Sequence, residues 1–163
     1  LDAAENRGAD TDLIDLRDLD LPVFDPDEDE PGDAAELTRR VRQADAVLLA
    51  SPMYHGSYAS PLKTAIDYCG FDEFEEKTVG LLAVSGGSFP ITALDHLRSV
   101  LRALDAWVLP YQAAVPNASR HVEDGQFVIQ TDQPHVKVSW QVTGIRQDPW
   151  AEANRIVVEE EKP

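Results

Sequence analysis

Asp45-Ala46-Val47-Leu48-Leu49-Ala50-Ser51-Pro52 is the stretch whose reading decides the fold. After Asp45 the run is unbroken in apolar character until it stops at Ser51-Pro52. A strand exposed on one face alternates apolar with polar residues, whereas a parallel strand covered on both faces reads as a continuous run. The flanks support the second reading. Upstream, Asp33 is placed to cap a helix that carries Leu37, Val41 and Ala44 at helical spacing. Downstream, a helix is expected from about Tyr58 to Cys69, with Pro61 tolerated in its first turn and Leu62, Ala65 and Ile66 facing inward. Thr78-Val79-Gly80-Leu81-Leu82-Ala83-Val84 repeats the design and stops at Ser85-Gly86-Gly87-Ser88. Ala106-Trp107-Val108-Leu109 is the third such run, after a helix with Leu94, Leu97, Leu101 and Leu104 on its inner face. Strand and helix alternate, so the sheet is expected to be parallel, with right-handed crossovers. Thr11-Asp12-Leu13-Ile14-Asp15-Leu16 is short, partly alternating and strand-like. The acidic, proline-bearing stretch Phe24 to Gly32 reads as a loop within the same domain.

Composition bounds the rest. At 163 residues the chain fits one domain, 1–163. No apolar run approaches the roughly 20 residues of a membrane helix, and no charged-then-apolar leader is present, so a cytoplasmic protein without membrane contact is expected. The single cysteine, Cys69, excludes an internal disulfide and supplies no partner for a thiolate metal site; it reads as a small buried side chain. Thirty acids against 14 bases give a formal charge of -16. Such a charge repels nucleic acid and destabilises a fold by self-repulsion in dilute buffer. Because the acids are spread along the chain, the balance suggests a halophilic source, where a Debye length of about 3 Å at 1 M salt hides the charges from one another.

In open sheets of this type ligands sit beyond the carboxyl ends of the strands, at the edge where both Ser- and Gly-bearing loops fall. Each loop follows a buried strand and leads into a helix, so both can turn backbone N–H groups toward one ligand. A planar, polar, electron-accepting ring is the natural occupant.

At these residues a resemblance becomes specific. Ala50-Ser51-Pro52-Met53-Tyr54-His55-Gly56-Ser57, followed by Pro61-Leu62-Lys63-Thr64-Ala65-Ile66-Asp67, is similar to the signature of the NADPH-dependent FMN reductase family: a small residue and Pro, then Glu-Tyr-Asn-Gly-Ser, then Leu-Lys-Asn-Ala-Ile-Asp. The Ser85-Gly86-Gly87 loop and Leu104 to Val108 resemble later family elements, so the likeness covers about residues 9 to 118. It implies a flavodoxin-like doubly wound parallel sheet of order 2-1-3-4-5. It also implies an FMN held by Ser51, Pro52, Met53, Tyr54, His55, Gly56 and Ser57 on one side and by Ser85, Gly86, Gly87 and Ser88 on the other. NADPH would be the co-substrate, and the electrons would pass to a small quinone, azo, metal or flavin acceptor. A homodimer or homotetramer is implied as well, and no side chain need act as acid or base. On this reading Gly56 lets the backbone approach the ring, and Tyr54 packs against the ring or the nicotinamide. Met53 stands where the family has Glu and His55 where it has Asn. His55 either replaces the amide as a donor or is a solvated loop residue. For Ser85 to Ser88 the plainer reading is a turn before a helix capped by Ser88, and for Lys63 and Asp67 a helix ion pair.

Two regions depart from the family pattern. Leu1 to Gly8 reads as the last turns of a helix ended by glycine, and the strand that should precede it, with its phosphate-cradling loop, is absent from the chain. Either about 30 residues, the size of the usual βα unit, precede Leu1 in the whole protein, or this is a broken homologue; the first is expected. Without that strand, 11–16 could not pair with the 45–50 run, because a strand position about 4.8 Å wide would separate them. Residues 135–163 form an atypical extension. His135 to Val142 alternates as a half-buried strand does, and Asp148-Pro149-Trp150 offers a helix start. A hairpin with Phe127-Val128-Ile129, a dimer element and a reading-frame error are the readings open for this extension.

Overall fold

The computed structural model describes residues 2–29, 31–118, 122–123 and 126–127. The elements, in chain order, are α1 (Asp2–Glu5), α2 (Ala34–Gln43), β1 (Ala46–Tyr54), β2 (Ser57–Tyr58), α3 (Ser60–Tyr68), α4 (Phe71–Phe74), β3 (Thr78–Val84), α5 (Ile91–Arg102), β4 (Trp107–Val115), β5 (Val122–Glu123) and β6 (Gln126–Phe127). β1, β3 and β4 lie side by side and parallel, as the three apolar runs predict, and β2 folds back antiparallel on the end of β1. Ala46 faces Thr78, and the register continues to Pro52 opposite Val84.

The core forms where helix stripes meet alternate strand positions. Val79, Leu81 and Ala83 of β3 pack with Leu37 and Val41 of α2, Leu62, Ala65 and Ile66 of α3, and Ala93, Leu94, Leu97 and Leu101 of α5. The four α5 residues have no exposed surface. Truncating such leucines costs about 2–5 kcal/mol. Leu104 falls just past the helix end and is only partly buried. On β4, Trp107 and Tyr111 are 70% and 78% exposed. Both-face cover, expected for all three runs, is therefore not seen for β4. Its ladder also skips: Val108 pairs with Val79, and the next pair is Gln112 with Leu81. Leu109, Pro110 and Tyr111 thus oppose Gly80 alone, a bulge at a proline that has no N–H to give to a ladder.

Four local expectations are corrected. Thr11 to Leu16 joins no ladder; Arg40 instead bonds the Asp12 carboxylate and the Leu13 carbonyl, while Ile14 and Leu16 pack on the core. The Arg40 guanidinium holds the Asp12 carboxyl below the usual range. That this segment does not pair with β1 agrees with the strand-wide gap expected between them. Asp33 precedes α2, but its side chain makes no cap bond. Its Oδ2 accepts from the Asp20 N–H at 2.7 Å, and its own N–H donates to Asp20 O at 2.8 Å. The neck of the acidic loop is closed this way, with Gly32 at φ 59 where a Cβ would strike Asp20 O. Ser88 does not cap α5, since the residue before that helix is Pro90. Finally, neither Ser51-Pro52 nor Leu109 ends its strand, because β1 runs on to Tyr54 and β4 to Val115.

Two features hold α2 and α4 together. Glu73 is buried, accepts from the Gly70 N–H at 2.7 Å and from Arg42 Nη2 at 2.5 Å, and so fixes a four-residue helix that is too short to be stable alone. Lys77 Nζ donates to the carbonyls of Val41 and Arg42 at the C-terminal end of α2, where Val41 O also accepts from the Ala44 N–H. Toward the chain start, Gly8 at φ 87 ends α1 with its N–H on Glu5 O, as the sequence predicts. The reading of residues 135–163, with the hairpin suggested between that segment and 127–129, falls outside the described residues; Phe127 is described only in the β5–β6 pairing, Val122 with Phe127 and Glu123 with Gln126.

Candidate functional site

The parallel register brings the two loops to one rim. Pro52 faces Val84, so the parallel β1–β3 pairing ends on the same rung from which Met53 and Ser85 continue at the carboxyl edge. The chain after β4 joins them: Ser85 N–H donates to Val115 O, Asn117 N–H to Gly87 O, and Ala118 N–H to Ser85 O, all at 2.8–2.9 Å.

The first loop is a β-hairpin. Met53 pairs with Tyr58 and Tyr54 with Ser57, leaving His55 and Gly56 as its two connecting residues, at φ 50 and 83. Two left-handed residues in a two-residue connection are what a type I′ turn requires, and Asn-Gly is its favoured pair. This explains both identities at once. A Cβ on Gly56 would meet only Thr92 Oγ1 at an ordinary 3.8 Å, so the protein's own structure needs glycine here for its φ. His55 occupies the position where the resembled family has Asn, and histidine is among the few other residues enriched in left-handed backbone.

Ser51 is 2% exposed, and its hydroxyl is engaged within the loop: it accepts from the Ala59 N–H at 2.9 Å and donates to Pro52 O at 2.9 Å. Ser51 therefore ties the base of the hairpin to the start of α3. Met53 packs partly buried on the core and accepts a weak bond from Thr92 Oγ1 at 3.5 Å. Ser57 Oγ meets His96 Nδ1 at 3.0 Å. Tyr54 and His55 are exposed, Tyr54 at 54%.

The second loop is held at Ser85 and at the Gly87 carbonyl, and its glycines have no side chain facing them. Ser85 is buried, and its hydroxyl donates to Ser88 O across the turn. Gly86 and Gly87 are exposed, take no left-handed φ, and have nothing within 4 Å of where a Cβ would stand. Phe89 follows at 63% exposure, and Ile91 is also exposed. Neither the backbone nor the packing of this loop requires two glycines.

Thr92 and His96, one helical turn apart on α5, belong to the rim but were not singled out from the sequence. A polar pair at i and i+4 on the outward side of an amphipathic helix looks like any solvated face, and its partners are fixed only by the fold. Lys63 and Asp67 form the plain i,i+4 ion pair expected of them. Burial, with Glu73 nearby, pushes the Cys69 thiol up to about 12.

A three-stranded parallel ladder with helices between its strands and a paired-loop rim at their carboxyl ends defines a flavodoxin-like α/β domain. The NAD(P)H:(acceptor) oxidoreductase FerB of Paracoccus denitrificans has this fold, with a TM-score of 0.62 at 24% identity over 77% of this chain and 72% of that one. Residues 1–120 match the model of the NADPH-dependent FMN reductase family, and the chain belongs to that family. A protein of Staphylococcus saprophyticus described as an FMN-dependent NADPH-azoreductase is 37% identical over 98 residues, 60% of this chain and 52% of the relative. One of the same description from Staphylococcus aureus is 35% identical over 116 residues, 70% of this chain and 62% of the relative. The chain thus spans between about half and three-fifths of the length of these curated relatives.

Proposed function

We propose that this domain forms part of an FMN-dependent oxidoreductase that takes hydride from NADPH and passes the electrons to a small acceptor such as a quinone, an azo compound, a metal ion or a free flavin. The observation that carries the reading is the Gly86-Gly87 pair. It leaves bare backbone at the rim beside the hairpin, where the fold itself has no use for glycine, and a flat ligand lying against that backbone supplies the missing reason. Family membership and the names of the azoreductase relatives point the same way.

FMN, when bound, supplies the hydride-accepting and electron-donating chemistry. The chain's part is to hold and orient it. On this reading residues 52–57 form one wall and Gly86 to Ser88 the other, with Ser51 and Ser85 fixing the two walls from beneath. Tyr54 and Phe89 offer exposed aromatic surface beside them for a second planar molecule. No side chain of the rim has to move a proton for a direct hydride transfer between stacked rings.

Soaking the purified whole protein, with the residues expected before Leu1, with FMN and recording the visible spectrum, then adding NADPH without oxygen, tests the proposal. A bound yellow chromophore that bleaches on NADPH is the expected result. Bound flavin that stays yellow would instead indicate a flavodoxin-type carrier, and a colourless protein a flavin-free interaction module. The same reading extends to a cytoplasmic homodimer or homotetramer, and the -16 formal charge supports a high-salt cell. It predicts greater stability at molar salt than in dilute buffer.

A further inference from the structure

We propose that His96 is a positioning residue for the flavin rim: it bolts the hairpin 53–58 to α5, the helix into which the second loop feeds. This rests on the flavin reading above. The hairpin has only two residue pairs in its ladder. Isolated two-stranded hairpins are marginal at best, so its place at the rim depends on what it is tied to. Thr92 and His96 provide two ties a helical turn apart, Thr92 Oγ1 to Met53 Sδ at 3.5 Å and His96 Nδ1 with Ser57 Oγ at 3.0 Å. The thioether is a weak acceptor, so the imidazole–hydroxyl contact is the stronger of the two.

α5 is a suitable anchor because its opposite face is the best-buried surface in the domain, with Ala93, Leu94, Leu97 and Leu101 sealed against β3 and its neighbours. Its first turn follows Ser85 to Pro90 directly. The spacing between the two walls of the rim is therefore set by one rigid helix, with the second loop joined to its start and the hairpin pinned to its flank. Nδ1 lies two bonds from Cβ, which lets His96 reach Ser57 without a long flexible stem. Asparagine places an amide at nearly the same position, whereas alanine leaves nothing there.

FMN titrations of the full chain, wild type against His96→Ala, Ser57→Ala, the double variant and His96→Asn, test this. One exposed hydrogen bond corresponds to about a two- to tenfold change in binding. Each single alanine variant should weaken FMN by that factor, the double variant should be no worse than either single one, and His96→Asn should recover most of the loss. Unchanged FMN affinity in His96→Ala, or losses that multiply in the double variant, would overturn the inference. Hydrogen exchange provides a readout that needs no flavin. Amides 53–59 should exchange faster in His96→Ala, while 78–84 stay protected, and unchanged exchange at 53–59 removes the latch itself. A whole wild-type protein, with the residues expected before Leu1, that takes up no FMN overturns the flavin reading and the positioning role with it, while the exchange data still decide whether the hairpin is bolted to α5.

Discussion

The two loops of the rim solve opposite problems. Residues 53–58 form a hairpin whose turn geometry, base and flank are each fixed: by Gly56 and His55 at positive φ, by the Ser51 hydroxyl, and by Thr92 and His96. Residues 85–88 are held through Ser85 and through the Gly87 carbonyl, which accepts from Asn117, yet the Cβ positions of their two glycines stand in open space. In the first loop glycine satisfies the protein's own backbone, while in the second it satisfies nothing inside the protein. The lesson is that a glycine-rich loop is informative about ligands only after conformational and packing reasons for the glycine have been removed.

Substitutions can break this contrast. The largest effect is expected from Ser51→Ala, which strands the part-buried Ala59 N–H and should lower unfolding stability by about 1–3 kcal/mol in a urea titration. Gly56→Ala should follow at about 1–2 kcal/mol, the cost of a side chain in left-handed backbone. Gly87→Ala should do the reverse, raising stability by about 0.4–1 kcal/mol through the unfolded chain. It should at the same time weaken FMN about tenfold by forcing a methyl group into the filled site. If it lowers stability or leaves FMN binding untouched, the contrast between the loops is wrong. The smallest expected change is a gain of about 0.5 kcal/mol or less for His55→Asn, which restores the preferred type I′ pair at an exposed position.

What the sequence makes legible is whatever depends on local periodicity. The bounds of β3, the inward set Leu62, Ala65 and Ile66, the tolerated Pro61, and the buried faces of α2 and α5 all follow from patterns of two or four residues. What escapes depends on distant partners. Thr11 to Leu16 has strand-like composition, yet a strand exists only with a neighbour to pair with. Asp33 has the right identity for a cap, but Asp20, thirteen residues away, claims its carboxylate. α4 is held by Arg42 through Glu73, thirty-one residues apart. Within the candidate site the two loops and their shared edge could be read from the sequence. The hairpin inside the first loop could not be, because His-Gly lacks the strong turn signal of Asn-Gly, and neither could the tie to His96.

The bulge in β4 has a consequence for how copies of this domain meet in concentrated solution. Among the described residues β4 is the outermost strand of the parallel ladder, nine residues long. A straight strand of that length would template backbone pairing with any extended chain that met it. Pro110 withholds a donor from the middle of that edge, and the extra residues around it break the even spacing that a growing fibril needs. The same irregularity that leaves Leu109 and Tyr111 facing water thus acts as a guard against edgewise polymerisation.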